Sequence, residues 1–173
     1  MADLLASSEL VLNPDSSVYH CNLHAENLAN VVFLVGDPDR VPVVSSYFDS
    51  IEFKTQKREI VTHTGTVKGR RVSVVSTGMG TDNIDIVLSE LDAVTNIDLK
   101  NKTFKPEHKQ LTFIRMGTSG ALQKEIPVDS FMAGEYGLGL DGLIYYYENG
   151  KELNDEGFVG EFMKHTDWLP ELP

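Results

Sequence analysis

The sequence predicts an α/β protein with a central, mostly buried mixed β-sheet flanked by helices. Two observations carry this prediction. Strand-like apolar runs alternate along the chain with segments of helical periodicity, and three of the runs end in glycine-containing loops. These loops are GDPDR after VVFLV, TGMGTDN after VSVVS, and MGTSG after LTFIR. In open α/β sheets, ligands bind beyond the carboxyl ends of the strands, where such loops lie.

The first half of the chain supplies most of the predicted sheet. The run VVFLV indicates a buried strand over residues 31–35, and a short helix is expected over residues 40–48, capped by Asp39. Three further strand-like segments cover residues 51–56, 59–67 and 71–76. The sequence KGR at residues 68–70 predicts a hairpin turn between the last two.

The second half begins with a helix for which Asp82 is the expected cap. Its apolar face is formed by Ile84, Val87, Leu88, Leu91 and Val94. The polar, Lys-rich residues 98–110 predict a surface loop, and residues 111–116 predict another buried strand. Residues 130–140 are expected to be strand and loop, and residues 158–165 a helix. We expect residues 1–173 to form one domain.

Composition restricts the classes of partner. The net charge of −11 argues against binding to nucleic acid or an acidic membrane surface, since both require clustered Lys and Arg. No apolar stretch reaches the length of a membrane span, and Asp3 lies where a signal peptide would be positive, so we expect a cytoplasmic protein. The single cysteine, Cys21, allows no intrachain disulfide and is expected to be a small buried apolar group. His20 and His24 have no third ligand at matching spacing, so no metal site is expected.

The glycine loops also carry two arginines, Arg40 and Arg115. Glycines at strand ends let backbone N–H groups approach an anion closely, and helix N-termini add positive potential. Arg115 follows LTFI directly, where a buried guanidinium would need an anion or a carboxylate as its partner. The residues alone leave alternatives open: Arg40 as a surface charge beside a capped turn, and Arg115 paired with a buried acid. From the residues alone, we predict an α/β protein with a site that binds a phosphate or a carboxylate group.

Taken together, VGDPDR (35–40), STGMGTDN (76–83) and IRMGTSGAL (114–122) resemble the nucleoside phosphorylase family, most closely its uridine phosphorylase branch. The likeness runs from about Tyr19 to about Leu143. It implies pentosyl transfer in nucleoside salvage: a nucleoside and inorganic phosphate give a free base and ribose 1-phosphate. Phosphate is then the co-substrate and nucleophile, no cofactor is needed, and the protein acts by positioning and charge stabilisation.

The resemblance also implies roles for individual residues. Gly36, Arg40 and Arg115 would bind phosphate, and Thr118 would contact both phosphate and ribose, with Arg115 and Thr118 acting in catalysis. Ser119 and Gly120 would lie near the base. A neighbouring subunit would supply two further residues, His20 at the ribose 5′-hydroxyl and Arg58 at the phosphate. This implies a homo-oligomer built from dimers. Glu59 and Asn83 stand where some members hold a monovalent cation, with Asn83 in place of the usual serine.

The family's chains are longer than 173 residues. The part beyond about residue 170 carries the Met-Glu pair that holds the ribose hydroxyls and the residues that read the base, so we expect a nucleoside phosphorylase-like domain without its C-terminal part. Two hypotheses follow. The chain is a nucleoside phosphorylase, or a fragment of one with little activity alone; or it is a non-catalytic phosphate- or nucleoside-binding remnant or a subunit completed by a partner chain.

Overall fold

The computed structural model describes residues 4–168, which divide into two compact units, one ending at Gly120 and the other starting at Ala121. Among the described residues, the first unit contains the sheet and two α-helices, and the second contains one α-helix. The prediction of a single domain over residues 1–173 stays a prediction. Within the described residues, no helix is long and apolar enough to cross a membrane.

The first unit is built on a five-stranded mixed sheet, as predicted. Its strands are β1 (Val31–Val35), β2 (Ser50–Lys57), β3 (Ile60–Val67), β4 (Arg70–Ser76) and β7 (Thr112–Arg115), and β5 (Ile97–Asp98) pairs with β6 (Thr103–Phe104) in a separate two-stranded ribbon. The strand order is β2-β3-β4-β1-β7. Strands β2, β3 and β4 pair antiparallel, whereas β4, β1 and β7 are parallel neighbours. The carboxyl ends of three parallel strands therefore meet at one edge of the sheet.

Alternating side chains divide the central strands between two apolar layers, because successive residues of a strand point to opposite faces. On β1, Val32 and Leu34 join a core cluster with the helix α2 (Thr81–Asn96), while Val35 joins a second cluster with the helix α1 (Arg40–Ser45). On β4, Val75 belongs to the first cluster and Val74 to the second. Each helix thus covers a different face of the sheet, which confirms the expected α/β arrangement.

The two tight hairpins of the sheet each need backbone with positive φ. Lys68 and Gly69, between β3 and β4, have φ values of 48° and 75°, which is typical of the type I′ turns that match strand twist. Arg58, in the two-residue turn between β2 and β3, has a φ of 54°. The predicted hairpin at residues 68–70 is confirmed in place, with Arg70 already the first residue of β4.

Several local predictions were wrong. Helix α2 begins at Thr81 with Gly80, not Asp82, at the cap position, and Asp82 lies in the first turn. The expected surface loop 98–110 contains the short β5–β6 pairing, held also by a bond from the Lys105 N–H to the Asn96 carbonyl. Residues 130–140 contain no strand. Helix α1 ends at Ser45, short of Phe48, and the Asp39 side chain makes no capping bond.

The strand expected to be buried near residues 111–116 is β7, and all four of its residues are exposed. Phe113 and Ile114 are 39% and 42% exposed. Strand β7 is the last strand in the sheet order, so it has β1 on one side and no strand on the other within residues 4–168. An apolar sequence predicts a buried strand, but burial also depends on the elements that lie beside the strand. The described residues place a strand on only one side of β7.

The second unit contains two short 3-10 helices, Leu143–Tyr146 and Gly150–Leu153, and the helix α3 (Glu156–Thr166). The Asp155 side chain caps α3 by accepting a hydrogen bond from the Phe158 N–H at 3.1 Å. Asp167, with a left-handed φ of 53°, ends the helix. The predicted helix over residues 158–165 is therefore confirmed. The stretch at residues 167–173 lies outside the described residues from 169 onward.

Candidate phosphate-binding site

The three glycine loops leave the sheet side by side. In the parallel pairings, Val35 of β1 faces Ser76 of β4, and Leu34 faces Arg115 of β7. Two backbone bonds continue this ladder past the strand ends, from the Thr77 N–H to the Val35 carbonyl and from the Met116 N–H to the Leu34 carbonyl, both at 2.8 Å. The loops that follow β4, β1 and β7 are thus aligned along one edge of the sheet.

Arg115 lies against the backbone of Gly36. A Cβ atom placed on Gly36 would make a tight approach of 3.2 Å to the Arg115 Nη2 and an ordinary contact of 3.7 Å with the Gly78 carbonyl oxygen, so all three loops lie close together at Gly36. The Arg115 Nη1 donates to the Leu34 and Met116 carbonyls at 3.4 Å each. These bonds orient the guanidinium across the end of β1.

The charge of Arg115 is not neutralised by an acid. The side chain is exposed rather than buried, contrary to the sequence-based expectation, and no carboxylate within residues 4–168 forms an ion pair with it. The open alternative, in which Arg115 pairs with a buried Asp or Glu, is therefore not what the described residues contain. A guanidinium with unused donors beside glycine backbone can bind an anion from solution.

The second loop is packed against the turn between β2 and β3. Gly78 is buried with a φ of 70°, and a Cβ there would lie 2.7 Å from the Asn83 Nδ2 and 2.9 Å from the Glu59 Cγ. The Asn83 amide donates to the Glu59 Oε1 at 3.2 Å. Glu59 and Asn83, named as cation ligands by resemblance, are therefore in direct contact, and their cation-binding role stays a prediction.

Arg40 and Thr118, two further predicted phosphate ligands, lie in the same two loops as Gly36 and Arg115, and so do Ser119 and Gly120, which were predicted near the base. Arg40 is the first residue of α1, and its N–H closes the turn by donating to the Asp37 carbonyl at 3.1 Å. Its side chain is exposed. Thr118, Ser119 and Gly120 are exposed and follow β7 by three to five residues. That these residues surround one bound phosphate with Arg115 stays a prediction.

His20 lies elsewhere, on a loop fixed to α2 by the carboxylate of Glu90. The His20 N–H donates to both Glu90 oxygens at 2.9 Å, and the Cys21 N–H donates to Oε2 at 2.7 Å. The His20 Nδ1 lies 2.7 Å from Oε1. Cys21 is fully buried as expected, and burial, followed by the neighbouring Glu90 charge, raises the pKa of its thiol.

Arg58 lies in the exposed turn between β2 and β3, at the same sheet edge as the glycine loops. Strand β4 separates β3 from β1 in the sheet order, so this turn is not adjacent to Gly36. The preceding residue, Lys57, donates to the Asn13 Oδ1 at 2.8 Å and to the Tyr19 carbonyl, with its Nζ 4.0 Å from the Tyr19 ring centroid.

Lys57 and Glu90 were not predicted from the sequence. Lys57 ends a strand of alternating exposure and looks like an ordinary surface charge. The sequence could have singled out Glu90, because it lies three residues after Val87 and one before Leu91, both fully buried. A carboxylate on the apolar face of a helix needs hydrogen-bond donors, and the loop at His20 provides them.

Comparison with known proteins shows the family to which this chain belongs. The model of the phosphorylase superfamily matches residues 30–168. The chain belongs to the phosphorylase superfamily. This match covers all three glycine loops and places the mixed sheet within a known architecture.

Individual relatives in the superfamily are similar to this chain at moderate identity. A uridine phosphorylase from Thermococcus kodakarensis is 33% identical over 147 residues, which are 85% of this chain and 48% of the relative. A DeoD-type purine nucleoside phosphorylase from Bacillus subtilis is 32% identical over 63% of this chain and 42% of its own. The chain thus spans about half the length of the curated relatives it matches.

The fold is similar to that of a solved nucleoside phosphorylase from Trypanosoma brucei, whose structure is described as showing uridine phosphorylase activity. That similarity has a TM-score of 0.63 and 36% identity, and covers 68% of this chain and 41% of the other. The nucleoside phosphorylase-like α/β fold predicted from the sequence is therefore confirmed.

Proposed function

We propose that this chain provides the phosphate-binding part of a uridine phosphorylase-like nucleoside phosphorylase. The observation that carries the proposal is the Arg115 guanidinium, which lies against Gly36 with no carboxylate partner in the described residues. Membership of the phosphorylase superfamily and the similarity to uridine phosphorylases support the reaction class. The proposal places the reaction in the cytoplasm, where nucleosides and phosphate are both available.

In this proposal the attacking group is inorganic phosphate, and no further cofactor takes part. The Gly36 N–H, Arg40 and Arg115 bind the phosphate oxygens, and Thr118 contacts phosphate and ribose. Phosphate attacks the anomeric carbon of the nucleoside as the bond to the base breaks, which gives ribose 1-phosphate and the free base. Fixed positive charge beneath the sugar holds the nucleophile in place and stabilises the transition state.

The proposal includes a homodimer at least, in which His20 and Arg58 complete the site of a second copy. Supporting this, Arg58 lies in a turn separated from β1 by β4, and His20 is held by α2 rather than by the glycine loops. Mixing R58M with R115M chains tests it. Heterodimers would contain one intact site, so phosphate binding absent from either variant alone should reappear in the mixture.

The phosphate site is tested by comparing R115M with R70M. Arg70 is also an exposed strand arginine, but it begins β4, at the other end of that strand from the glycine loop. We expect R115M to weaken phosphate binding by about tenfold or more, since a charge-assisted bidentate contact contributes about 1.5–3 kcal/mol, and R70M to leave it unchanged. The measurement is a phosphate titration followed by amide NMR shifts, and equal loss in both variants would contradict the site.

The second candidate function is a non-catalytic binding subunit completed by another chain. The observation that favours it is the length of the match, which covers only 48% of the Thermococcus kodakarensis relative. The two functions differ in uracil release from uridine. Phosphate binding without turnover, restored by adding a chain that carries the other half, would support the second.

A further inference from the structure

Glu90 fixes the loop that carries His20. Its carboxylate accepts hydrogen bonds from two consecutive backbone N–H groups, those of His20 and Cys21, and also lies 2.7 Å from the His20 Nδ1. The Glu90 side chain is 14% exposed and the His20 side chain 31% exposed. One carboxylate thus holds both the backbone N–H and the ring of a histidine that lies seventy residues away in the sequence.

This contact determines which ring nitrogen carries the proton. A carboxylate only accepts hydrogen bonds, so Nδ1 at this distance must donate, and in neutral imidazole the other nitrogen is then an acceptor. The Nε2 atom of His20 makes no hydrogen bond to the described residues. The Tyr19 ring, whose centroid is 4.9 Å from that of His20 at an interplanar angle of 87°, packs beside the imidazole and limits its rotation.

The same loop is held from its other side by Lys57. Its ammonium group donates to the Tyr19 carbonyl, directly before His20, and to the Asn13 side chain. Lys57 is also the residue directly before Arg58. The loop of Tyr19 and His20 is therefore tied to the end of β2 through Lys57 and to α2 through Glu90.

We infer that Glu90 is a positioning residue that holds His20 as the Nδ1–H tautomer and presents Nε2 as an acceptor for a sugar hydroxyl. The hydroxyl belongs to a nucleoside bound by a second copy of the chain, and this part of the inference rests on the proposed function. A hydroxyl is the matching ligand because it can donate to Nε2, whereas a carboxylate or the dianion of a phosphate monoester can only accept. Glu90 acts through His20 and does not itself contact substrate.

The first test needs neither activity nor a change at Glu90. The full 173-residue chain, labelled with 15N at histidine, reports the tautomer of each ring through the shifts of its two nitrogens, and the His20 signals are assigned by their loss in H20Q. We expect the singly protonated ring of His20 to carry its proton on Nδ1 and to leave Nε2 unprotonated. A ring protonated only on Nε2, or on both nitrogens, would overturn the inference whether or not the chain binds nucleosides.

A variant pair separates positioning from folding. In E90Q an amide group replaces the carboxylate, and we expect the tautomer equilibrium of His20 to shift toward the Nε2–H form. We expect the unfolding temperature of the chain to change by no more than a few degrees. The control E107Q alters a fully exposed carboxylate and should leave the His20 shifts unchanged. An unchanged tautomer in folded E90Q would overturn the role of Glu90. If E90Q does not fold, the His20 ring shifts are compared between the wild type and E90D, whose side chain is one methylene group shorter.

The second test concerns the ligand. Uridine, added with saturating phosphate, should shift the His20 Nε2 signal, and 5′-deoxyuridine should not. We expect uridine binding to weaken about tenfold in E90Q while binding of 5′-deoxyuridine changes less than twofold, as for loss of one good hydrogen bond. An Nδ1–H tautomer without a uridine-dependent shift would overturn the hydroxyl-acceptor role. The phosphate titration of R115M tests the proposed function separately.

Discussion

At the scale of single residues, two neighbouring polar side chains in the interior of the sheet differ in their hydrogen bonding. Thr62 on β3 is fully buried, and its Oγ1 is without a hydrogen-bond partner in the described chain. His63, the next residue, is 8% exposed and its Nδ1 lies 2.8 Å from the Ser45 Oγ. A buried polar group costs stability when unpaired and little when paired, so the two residues should respond differently to substitution.

Replacing Thr62 with Val should stabilise the protein or leave its stability unchanged. The two side chains have the same shape, and Val removes a buried hydroxyl that makes no hydrogen bond, so we expect the free energy of unfolding to rise by up to about 1 kcal/mol. Urea denaturation measures it. T64V is the matched control, because the buried Thr64 Oγ1 bonds the Asn27 carbonyl and the Ser73 hydroxyl, and its loss should destabilise. Destabilisation by T62V would contradict the prediction.

His63 should make folding sensitive to mild acid. Burial, and then the positive charge of Lys54 opposite it on β2, lowers the pKa of His63 from the ordinary value of 6.5. The unfolded chain therefore binds the proton more readily, so stability is retained above about pH 6.5 and falls as the pH drops toward the lowered pKa.

The measurement is the free energy of unfolding of wild type, H63Q and H108Q between pH 7.5 and pH 5. We expect the pH dependence to be smaller in H63Q, which has no ionisable group there. His108 is exposed, so H108Q should follow the wild type. An unchanged slope in H63Q would show that other groups cause the acid sensitivity.

At the scale of elements, the pairing of β2 with β3 depends on a glycine. The register shifts between Ile51 and Phe53, and Gly65 lies opposite this irregularity. A Cβ on Gly65 would lie 2.0 Å from the Ser50 carbonyl oxygen and 3.0 Å from both the Ile51 Cα and the Phe48 Cδ2. The two nearest atoms are backbone, which cannot move without changing the pairing.

Gly65→Ala should therefore destabilise the sheet. The added methyl must displace strand β2, and we expect a loss of about 1–3 kcal/mol in the free energy of unfolding, as for other overpacked interiors. The control is G160A in α3, where a Cβ would meet open space and alanine favours a helix over glycine by about 1 kcal/mol. Thermal unfolding followed by circular dichroism tests both, and a G65A midpoint equal to wild type would refute the prediction.

At the scale of the whole molecule, the candidate site is formed by adjacent loops of the first unit, beside strand β7, which is exposed in the described part of the chain. Phe113 and Ile114 of β7 expose 39% and 42% of their surface. Strand β7 is also the last in the sheet order. Unpaired apolar strands invite association with other chains. We therefore expect concentration-dependent association of the 173-residue chain.

The 173-residue chain alone should be a poor phosphorylase. Phosphate contacts position the nucleophile, but catalysis draws on interactions with the sugar and departing base in the transition state. The chain matches only 48% of a full-length relative, and loss of even one preorganised donor lowers rates by about a hundredfold. We expect uracil release from uridine to be at least about a hundredfold slower than for a full-length relative, measured on monodisperse protein. Comparable turnover would contradict this.

The sequence was sufficient for the parts of the fold that depend on local pattern. Runs such as VVFLV and RVSVVS are strands in most environments, and glycines directly after them predicted the aligned loops. The periodic apolar residues of α2 predicted its buried face, because helix geometry brings Val87, Leu91 and Val94 together whatever surrounds them. Motif recognition added the family and the site residues, whose roles stay predictions.

Only the tertiary structure decided what depends on residues distant in the sequence. The exposure of β7 depends on what lies beside it, so the run LTFIR could not reveal it. The position of Arg115 against Gly36 follows from β1 pairing with β7, about eighty residues away. Glu90 and Lys57 are ordinary charges in the sequence, and become positioning candidates because the fold brings the loop of Tyr19 and His20 between them. Such contacts are set by packing between elements, which local periodicity does not encode.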